Sequence, residues 1–194
     1  MRLFVALDVT NDIRSRIQRF IEGVSGFAPD ARWVSAESLH LTLKFIGEKP
    51  ESSAENIKQA LSTVKSDPLA IAFRGHGFFP GPKLARVFWI GVEAGPQLPA
   101  LAAAVDNALV PLNIPKEIHA FFPHITLARA APSRASKAEQ GGGLTRGFGR
   151  LHEKLSALSS PDFGSMTARE FFLYESHLSG KGPRYVKLAS FGLD

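Results

Sequence analysis

A four-residue pattern, His-x-Thr-Leu, occurs twice in the chain, and it limits the possible folds more than any other feature. The first copy begins at His40 and the second at His124, 84 positions later. Side chains along a strand alternate between its two faces. The first copy is therefore predicted to send apolar side chains to one face and polar ones to the other. The apolar set is Leu39, Leu41, Leu43 and Phe45, and the polar set is His40, Thr42 and Lys44.

In the second copy, His124 and Thr126 share a face of the predicted strand by the same alternation. An apolar face packs on a core, so each His-Thr pair is left facing solvent or a cleft. A single His-x-Thr on a strand is ordinary, because both residues are acceptable on a half-exposed sheet face. Two copies in matching apolar frames favour a function, since two such pairs facing one cleft would form an active site.

Composition narrows the class of protein. The chain has 194 residues, is 44% hydrophobic and contains no cysteine. This length suits one large domain or two small lobes with a core. The lack of cysteine excludes disulfides, thiolate metal sites and cysteine nucleophiles. The apolar run after Met1 is too short for a signal peptide, and no stretch approaches the length of a membrane span, so we expect a cytoplasmic protein without membrane association.

Positive charge is concentrated in one segment. The chain has a formal net charge of +5, and residues 129–154 alone hold six basic and two acidic residues. Such a segment is most often a solvated face, but its position directly after the second motif keeps a polyanionic partner open.

Patterns elsewhere predict alternating helices and strands. The predicted strands are 2–9, the two motif strands, 69–73, 86–92, 169–176 and 185–193. Strands 69–73 and 86–92 are predicted to form a hairpin with a turn-rich connection at 75–82. The predicted helices begin at Thr10 or Asn11, at Ser52 with a capping box to Glu55, and near Leu98, with a fourth containing Leu151, Leu155 and Leu158. Residues 130–147 are predicted as a mobile loop. We therefore predict an α+β protein of two similar lobes of antiparallel sheet with flanking helices, produced by internal duplication.

The paired motifs resemble those of the 2H phosphoesterase superfamily, and more narrowly the bacterial and archaeal RNA 2′,3′-cyclic phosphodiesterases, historically called 2′-5′ RNA ligases. The likeness covers nearly the whole chain. It includes the opening at 2–7, the ending at 182–185, and the continuation of the motifs as Lys44-Phe45-Ile46-Gly47-Glu48 and Ala128-Arg129. The resemblance implies one domain, 1–194, of two pseudo-symmetric lobes whose motif strands line a central cleft. It also implies hydrolysis of RNA 2′,3′-cyclic phosphate ends to 2′-phosphomonoesters, with no metal and no other cofactor. We expect the protein to be a monomer.

The resemblance also implies roles for the motif residues (His40, Leu41, Thr42, Leu43 and His124, Ile125, Thr126, Leu127). His40 is expected to be the proton donor and His124 the proton acceptor, and two histidines with pKa near 6.5 suit these tasks. Thr42 and Thr126 are expected to donate to the charged phosphoryl oxygens. Arg129 is expected to bind the phosphate, although its parity is opposite to that of His124, so it must follow a bulge or the strand end.

Three other functions remain open. A metal hydrolase could use both histidines as ligands, although catalytic zinc normally takes three protein ligands and neither motif has a nearby Asp or Cys. A non-catalytic RNA-binding module would suit the basic segment. A 2′-5′ RNA ligase would run the same chemistry in reverse with the same residues. Glycine-rich nucleotide motifs are absent, because neither a third glycine at position 80 nor a Gly-Lys-Ser/Thr sequence is present.

Overall fold

The structure is a computed structural model, and it describes residues 1–131, 146–179 and 182–194. The strands are β1 (Arg2–Asp8), β2 (Arg32–Trp33), β3 (His40–Glu48), β4 (Leu69–Phe79), β5 (Val87–Ala94), β6 (His124–Arg129), β7 (Asp162–Ala168), β8 (Glu170–Ser179) and β9 (Gly182–Gly192). The helices are α1 (Asn11–Val24), α2 (Ala54–Ser62), α3 (Gln97–Leu109) and α4 (Arg146–Ser156). Within these described ranges, no helix has both the length and the apolar character needed to cross a membrane. Most of the predicted loop at 130–147 lies outside the described residues.

The strands form two antiparallel sheets, which confirms the predicted α+β class. The first sheet has the order β3-β1-β8-β9 and the second has the order β2-β6-β5-β4-β7. If β2 is set aside, the two orders match strand for strand, with β6 in the place of β3 and β5 in the place of β1. The lobes are not the two halves of the chain, however, because β1 and β3 share a sheet with the C-terminal strands β8 and β9.

The helices pack on the sheets through apolar stripes at the predicted spacing. In α1 the buried residues are Ile13, Ile17, Ile21 and Val24, and in α3 they include Leu98, Leu101, Val105 and Leu109. Two local predictions are wrong. The capping box at Ser52 does not form, since α2 begins at Ala54 after a short 3₁₀ turn and has no side-chain cap. Leu158 lies beyond the end of α4 and is exposed, so the buried stripe there consists of earlier residues such as Leu151 and Leu155.

Strand β4 continues through residues that were predicted to form a turn. The glycines that suggested the turn have other roles in the strand. Gly75 has φ 69° and lies where the register with β5 shifts, which is the conformation of a bulge. Gly77 lies under the indole of Trp89, and a Cβ there would be 2.2 Å from that ring. The predicted hairpin of β4 and β5 is confirmed, with a shorter connection. Strand β7 was not predicted, since its Gly, Ser and Thr residues give a weak apolar pattern.

A buried lysine ties the first motif strand to the chain that leads to the second. Lys44 is 3% exposed, and its Nζ lies 2.6 Å from Asp106 Oδ1 on α3. The same ammonium donates to the carbonyl of Pro115 at 2.7 Å and lies 3.5 Å from Glu117 Oε1. Since the backbone N–H of Glu117 also donates to Asp106 at 3.0 Å, the network holds β3, α3 and the segment before β6 together.

We expect Lys44→Met to destabilise the fold by about 3 kcal/mol, because removing one partner of a buried ion pair leaves the other charge uncompensated. This value is at the low end of the usual range, since Asp106 retains 16% exposure. Urea unfolding measures the change. The double variant Lys44→Met/Asp106→Asn should recover part of the loss, because the unpaired carboxylate is gone. A single variant as stable as the parent would show that the network contributes nothing.

Candidate active site

A β-bulge in the first motif strand decides which side chains face the cleft. Thr42 pairs with Ala6 and Lys44 pairs with Val5, so Leu43 is the extra residue on β3. Two consecutive side chains, Leu43 and Lys44, are consequently buried, and the alternation is inverted after them. The prediction that Lys44 accompanies His40 and that Phe45 packs with the leucines is therefore wrong. Phe45 is 60% exposed and lies on the face of His40 and Thr42.

The second motif strand has the same bulge at the same place. Thr126 pairs with Trp89 and Ala128 pairs with Phe88, which leaves Leu127 as the extra residue on β6. Leu127 and Ala128 are both buried, and Arg129 is turned to the face of His124 and Thr126. The parity difficulty for Arg129 is resolved in this way. Since the bulges match, Phe45 occupies in the first sheet the position that Arg129 occupies in the second.

Both histidine rings are fixed by the same local hydrogen bond. His40 Nδ1 lies 2.7 Å from the carbonyl oxygen of Ser38, and His124 Nδ1 lies 2.8 Å from that of Phe122. A carbonyl oxygen only accepts, so in each ring Nδ1 is the protonated donor. The remaining nitrogen, Nε2, is then available in both rings to accept or release a proton.

The two motifs lie close enough to influence each other electrostatically. Burial lowers the pKa of His40, and the charges of Arg129 and His124 lower it further, while the carbonyl of Ser38 and the carboxylate of Asp8 act in the opposite direction. Burial likewise lowers the pKa of His124, with Arg129 adding to the effect. The structure thus brings His40, His124 and Arg129 into one neighbourhood, and Thr42 and Thr126 share the faces of their histidines.

Aromatic side chains surround each histidine. The ring of His124 lies 5.1 Å from Phe79 and 6.2 Å from both Trp89 and Phe122, measured between centroids. The ring of His40 lies 4.9 Å from Phe4 and 5.0 Å from Tyr185. These rings explain the desolvation of both histidines.

The polar groups around the histidines suit an anionic ligand. Among the described residues, Thr42 and Thr126 have no hydrogen-bond partner for their hydroxyls, and Arg129 forms no ion pair. These three side chains can all donate hydrogen bonds, and Arg129 adds a fixed positive charge. Within the described part of the chain, no group of three His, Cys, Asp or Glu side chains is arranged to hold a metal ion.

Several site residues were not predicted from the sequence. Phe45 was assigned to the core, because the bulge that exposes it leaves no signal in the apolar pattern. Asp8 and Tyr185 come from strands at opposite ends of the chain, and both line a cavity of about 280 Å³ beside His40. Their proximity depends on the register of β1 and β9 within the first sheet. The sequence also gives no sign that Ser38 and Phe122, each two residues before its histidine, supply the carbonyl oxygens that accept from the histidine rings.

Comparisons with known proteins find relatives over nearly the whole chain. Residues 7–89 match the family model described as LigT like Phosphoesterase. The RNA 2′,3′-cyclic phosphodiesterase of Archaeoglobus fulgidus is 36% identical over 98% of this chain and 99% of its own. The RNA 2′,3′-cyclic phosphodiesterase of Methanothermobacter thermautotrophicus is 29% identical over 100% of this chain and 99% of its own.

Solved structures show the same likeness. The crystal structure of E. coli LigT complexed with 3′-AMP superposes with a TM-score of 0.76 at 26% sequence identity, covering 99% of this chain and 97% of that protein. A structure from Thermus thermophilus also has a TM-score of 0.76, at 29% identity, and covers 100% and 98% of the two chains. By the identity and coverage of its relatives and by its fold, the chain belongs to the LigT-like RNA 2′,3′-cyclic phosphodiesterase family of the 2H phosphoesterases.

Proposed function

We propose that the protein hydrolyses RNA 2′,3′-cyclic phosphate ends to 2′-phosphomonoesters by metal-independent acid and base catalysis. The observation that supports this most is the matched arrangement of the two motif strands. Strand alternation puts a histidine and a threonine of each strand on one face, and the bulge in β6 turns Arg129 to the face of His124 and Thr126. Family membership supports the cyclic phosphodiesterase activity, since relatives over nearly the full length are named for that activity.

In the proposed reaction His124 accepts a proton from water as the water attacks phosphorus. His40 donates a proton to the departing ribose 3′-oxygen, so the proton balance is closed within the site. Each proton passes through Nε2, because Nδ1 of each ring is bound to a carbonyl. Thr42 and Thr126 donate to the non-bridging oxygens, which carry the charge in the transition state, and Arg129 binds the same phosphate.

Exposed aromatic rings beside the histidines support a nucleotide substrate. Phe45 is 60% exposed on the face of His40, and Phe122 is 52% exposed two residues before His124. Exposed rings next to a positively charged site are the usual means of stacking unpaired bases, at about 1–3 kcal/mol for each base. A mononucleotide or a single-stranded RNA end has both an unpaired base to stack on these rings and a phosphate for the positively charged site.

The pH dependence tests the paired roles of the histidines. The rate should follow a bell, since His40 must be protonated and His124 neutral. Both pKa values are lowered from 6.5 by burial, so the bell for kcat/KM, which reports the free enzyme, should have its centre below pH 6.5. A bound phosphodiester anion raises both pKa values, and the kcat profile should therefore lie at higher pH. A rate that only rises with pH would contradict a histidine acid.

The RNA-binding module makes a different prediction for the same residues. It requires oligonucleotide binding that survives the double variant His40→Ala/His124→Ala, with no turnover in the parent protein. If the protein is an enzyme, we expect turnover in the parent and none in the double variant.

Ligase action uses the same groups with a 5′-hydroxyl in place of water. We further propose that the protein acts as a monomer in the cytoplasm.

A further inference from the structure

The residues opposite the two histidines differ in a way that distinguishes them. In the first sheet His40 pairs with Asp8 on β1, and in the second sheet His124 pairs with Gly91 on β5. Residues directly opposite in an antiparallel pair lie on the same face, with Cβ atoms about 4.5–5.5 Å apart. His40 thus has a carboxylate as its cross-strand neighbour, and His124 has none.

Packing keeps this difference in place. A Cβ at Gly91 would lie 2.4 Å from the backbone carbonyl oxygen of Arg74, a distance that backbone atoms do not tolerate. No side chain can therefore enter the position opposite His124. The bulges after the two His-Thr pairs match, so the position opposite the histidine is a point at which the near-symmetric motifs differ directly beside the imidazole.

The carboxylate of Asp8 is held from both sides. The hydroxyl of Tyr174 on β8 donates to Asp8 Oδ1, and Lys187 Nζ on β9 lies 2.6 Å from Asp8 Oδ2. Lys187 is itself placed by Phe172, whose ring centroid lies 3.8 Å from Nζ. Asp8, Tyr174 and Lys187 line the cavity beside His40, so the carboxylate is fixed next to the imidazole.

We propose that Asp8, fixed by Tyr174 and Lys187, is a positioning residue that favours the protonated form of His40 and so selects His40 as the general acid. The inference rests on the proposed function, in which one histidine gives a proton and the other takes one. His124 has no carboxylate opposite it, so no such contact favours its protonated form, which suits the base. The presence of Asp8 opposite His40 gives a structural reason to assign His40 as the acid and His124 as the base, which the nearly identical motifs alone do not decide.

The other groups around His40 do not replace Asp8. The titratable and charged groups that face it, or line the cavity with it, are Asp8 on β1, Tyr174 on β8, Tyr185 and Lys187 on β9, His124 and Arg129 on β6, Arg14 on α1, and Glu37. Burial raises the pKa of both tyrosines, so they stay neutral. Arg14 is bound to the carbonyls of Val9 and Ala36. Of the charges that act on His40, Asp8 favours the protonated form, and Arg129 and His124 oppose it.

Two substitutions should move the protonation of His40 in opposite directions. Asp8→Asn removes the carboxylate, so the midpoint of the His40 titration should fall by about 0.5–1 pH unit, with Lys187 accounting for the modest size. Lys187→Met leaves Asp8 charged and unpaired, and the midpoint should rise by a similar amount. NMR titration of the ring protons measures this directly, with His40→Ala and His124→Ala spectra to assign the signals. The alkaline limb of kcat/KM should shift with the His40 midpoint.

The control is Glu175→Gln, which removes a carboxylate from β8 that pairs with His177 rather than with His40. It should leave the His40 midpoint unchanged, and the His124 midpoint should stay constant in every variant. An unchanged His40 midpoint in both Asp8→Asn and Lys187→Met, or a shift in the same direction, would overturn the proposal. The NMR readout does not need turnover, so a parent protein without hydrolytic activity would refute the proposed function and leave the role of Asp8 separately measured.

Discussion

Replacement of either motif histidine by alanine should lower turnover of a nucleoside 2′,3′-cyclic phosphate by about two to four orders of magnitude, the usual worth of a positioned acid or base. Neither ring supports the core in the way that the buried leucines do, since His40 and His124 are both only partly buried. Unfolding in urea should therefore change little. His119→Ala is the matched control, because this exposed histidine lies before β6 and outside the site.

The two histidine variants should differ with an activated substrate. A nucleoside 2′-(4-nitrophenyl phosphate) releases a phenolate that needs no proton, so its hydrolysis requires the base but not the acid. His40→Ala should then approach the parent rate, and His124→Ala should stay slow. Rescue of His124→Ala alone would reverse the two roles, and near-parent activity of both variants with the cyclic substrate would refute the proposed mechanism.

Removal of either threonine hydroxyl should have the next largest effect. Thr42→Ala and Thr126→Ala should each lower kcat by about one to three orders of magnitude, the scale of removing a hydrogen-bond donor to developing charge. Each threonine lies two residues from its histidine on the same face of a bulged strand, where its hydroxyl can reach the same phosphate.

Valine and serine variants separate the hydroxyl from the shape of the side chain. Valine keeps the branched form and strand preference of threonine but has no donor, so Thr42→Val and Thr126→Val should be as slow as the alanine variants. Serine should recover most of the rate. If both valine variants are fully active, the threonines serve only as strand formers.

Arg129→Ala should act mainly on KM, since a surface guanidinium attracts the anion in ground and transition states alike.

Alternation along the strands predicted the motif faces correctly up to the bulges. His40 and Thr42 share one face, and Leu41 and Leu43 are buried as predicted. The prediction fails at Lys44 and Phe45, because a bulge inserts one residue at Leu43 and inverts the alternation that follows it. Nothing in the local sequence reveals this, since the choice between burying Lys44 and burying Phe45 depends on Asp106 and on the carbonyl of Pro115, which are distant along the chain.

Helix stripes were predictable because they depend on local spacing, and sheet partners were not. The pairing of β1 and β3 with strands from the C-terminal end leaves no trace in residue spacing. Asp8 could not be predicted as a site residue for the same reason, because its neighbours Tyr174 and Lys187 lie more than 160 positions away along the chain. Glycines misled the prediction for β4, since they relieve crowding inside the strand.

The central claim is hydrolysis of a 2′,3′-cyclic phosphate by histidines without metal, and one reaction tests it most directly. The protein is incubated with a nucleoside 2′,3′-cyclic phosphate in excess EDTA, and the products are identified by ³¹P NMR against authentic 2′- and 3′-monophosphates. We predict full activity in the chelator and the 2′-monophosphate as the product. Activity that disappears with EDTA and returns with zinc, or a 3′-monophosphate product, would contradict the account.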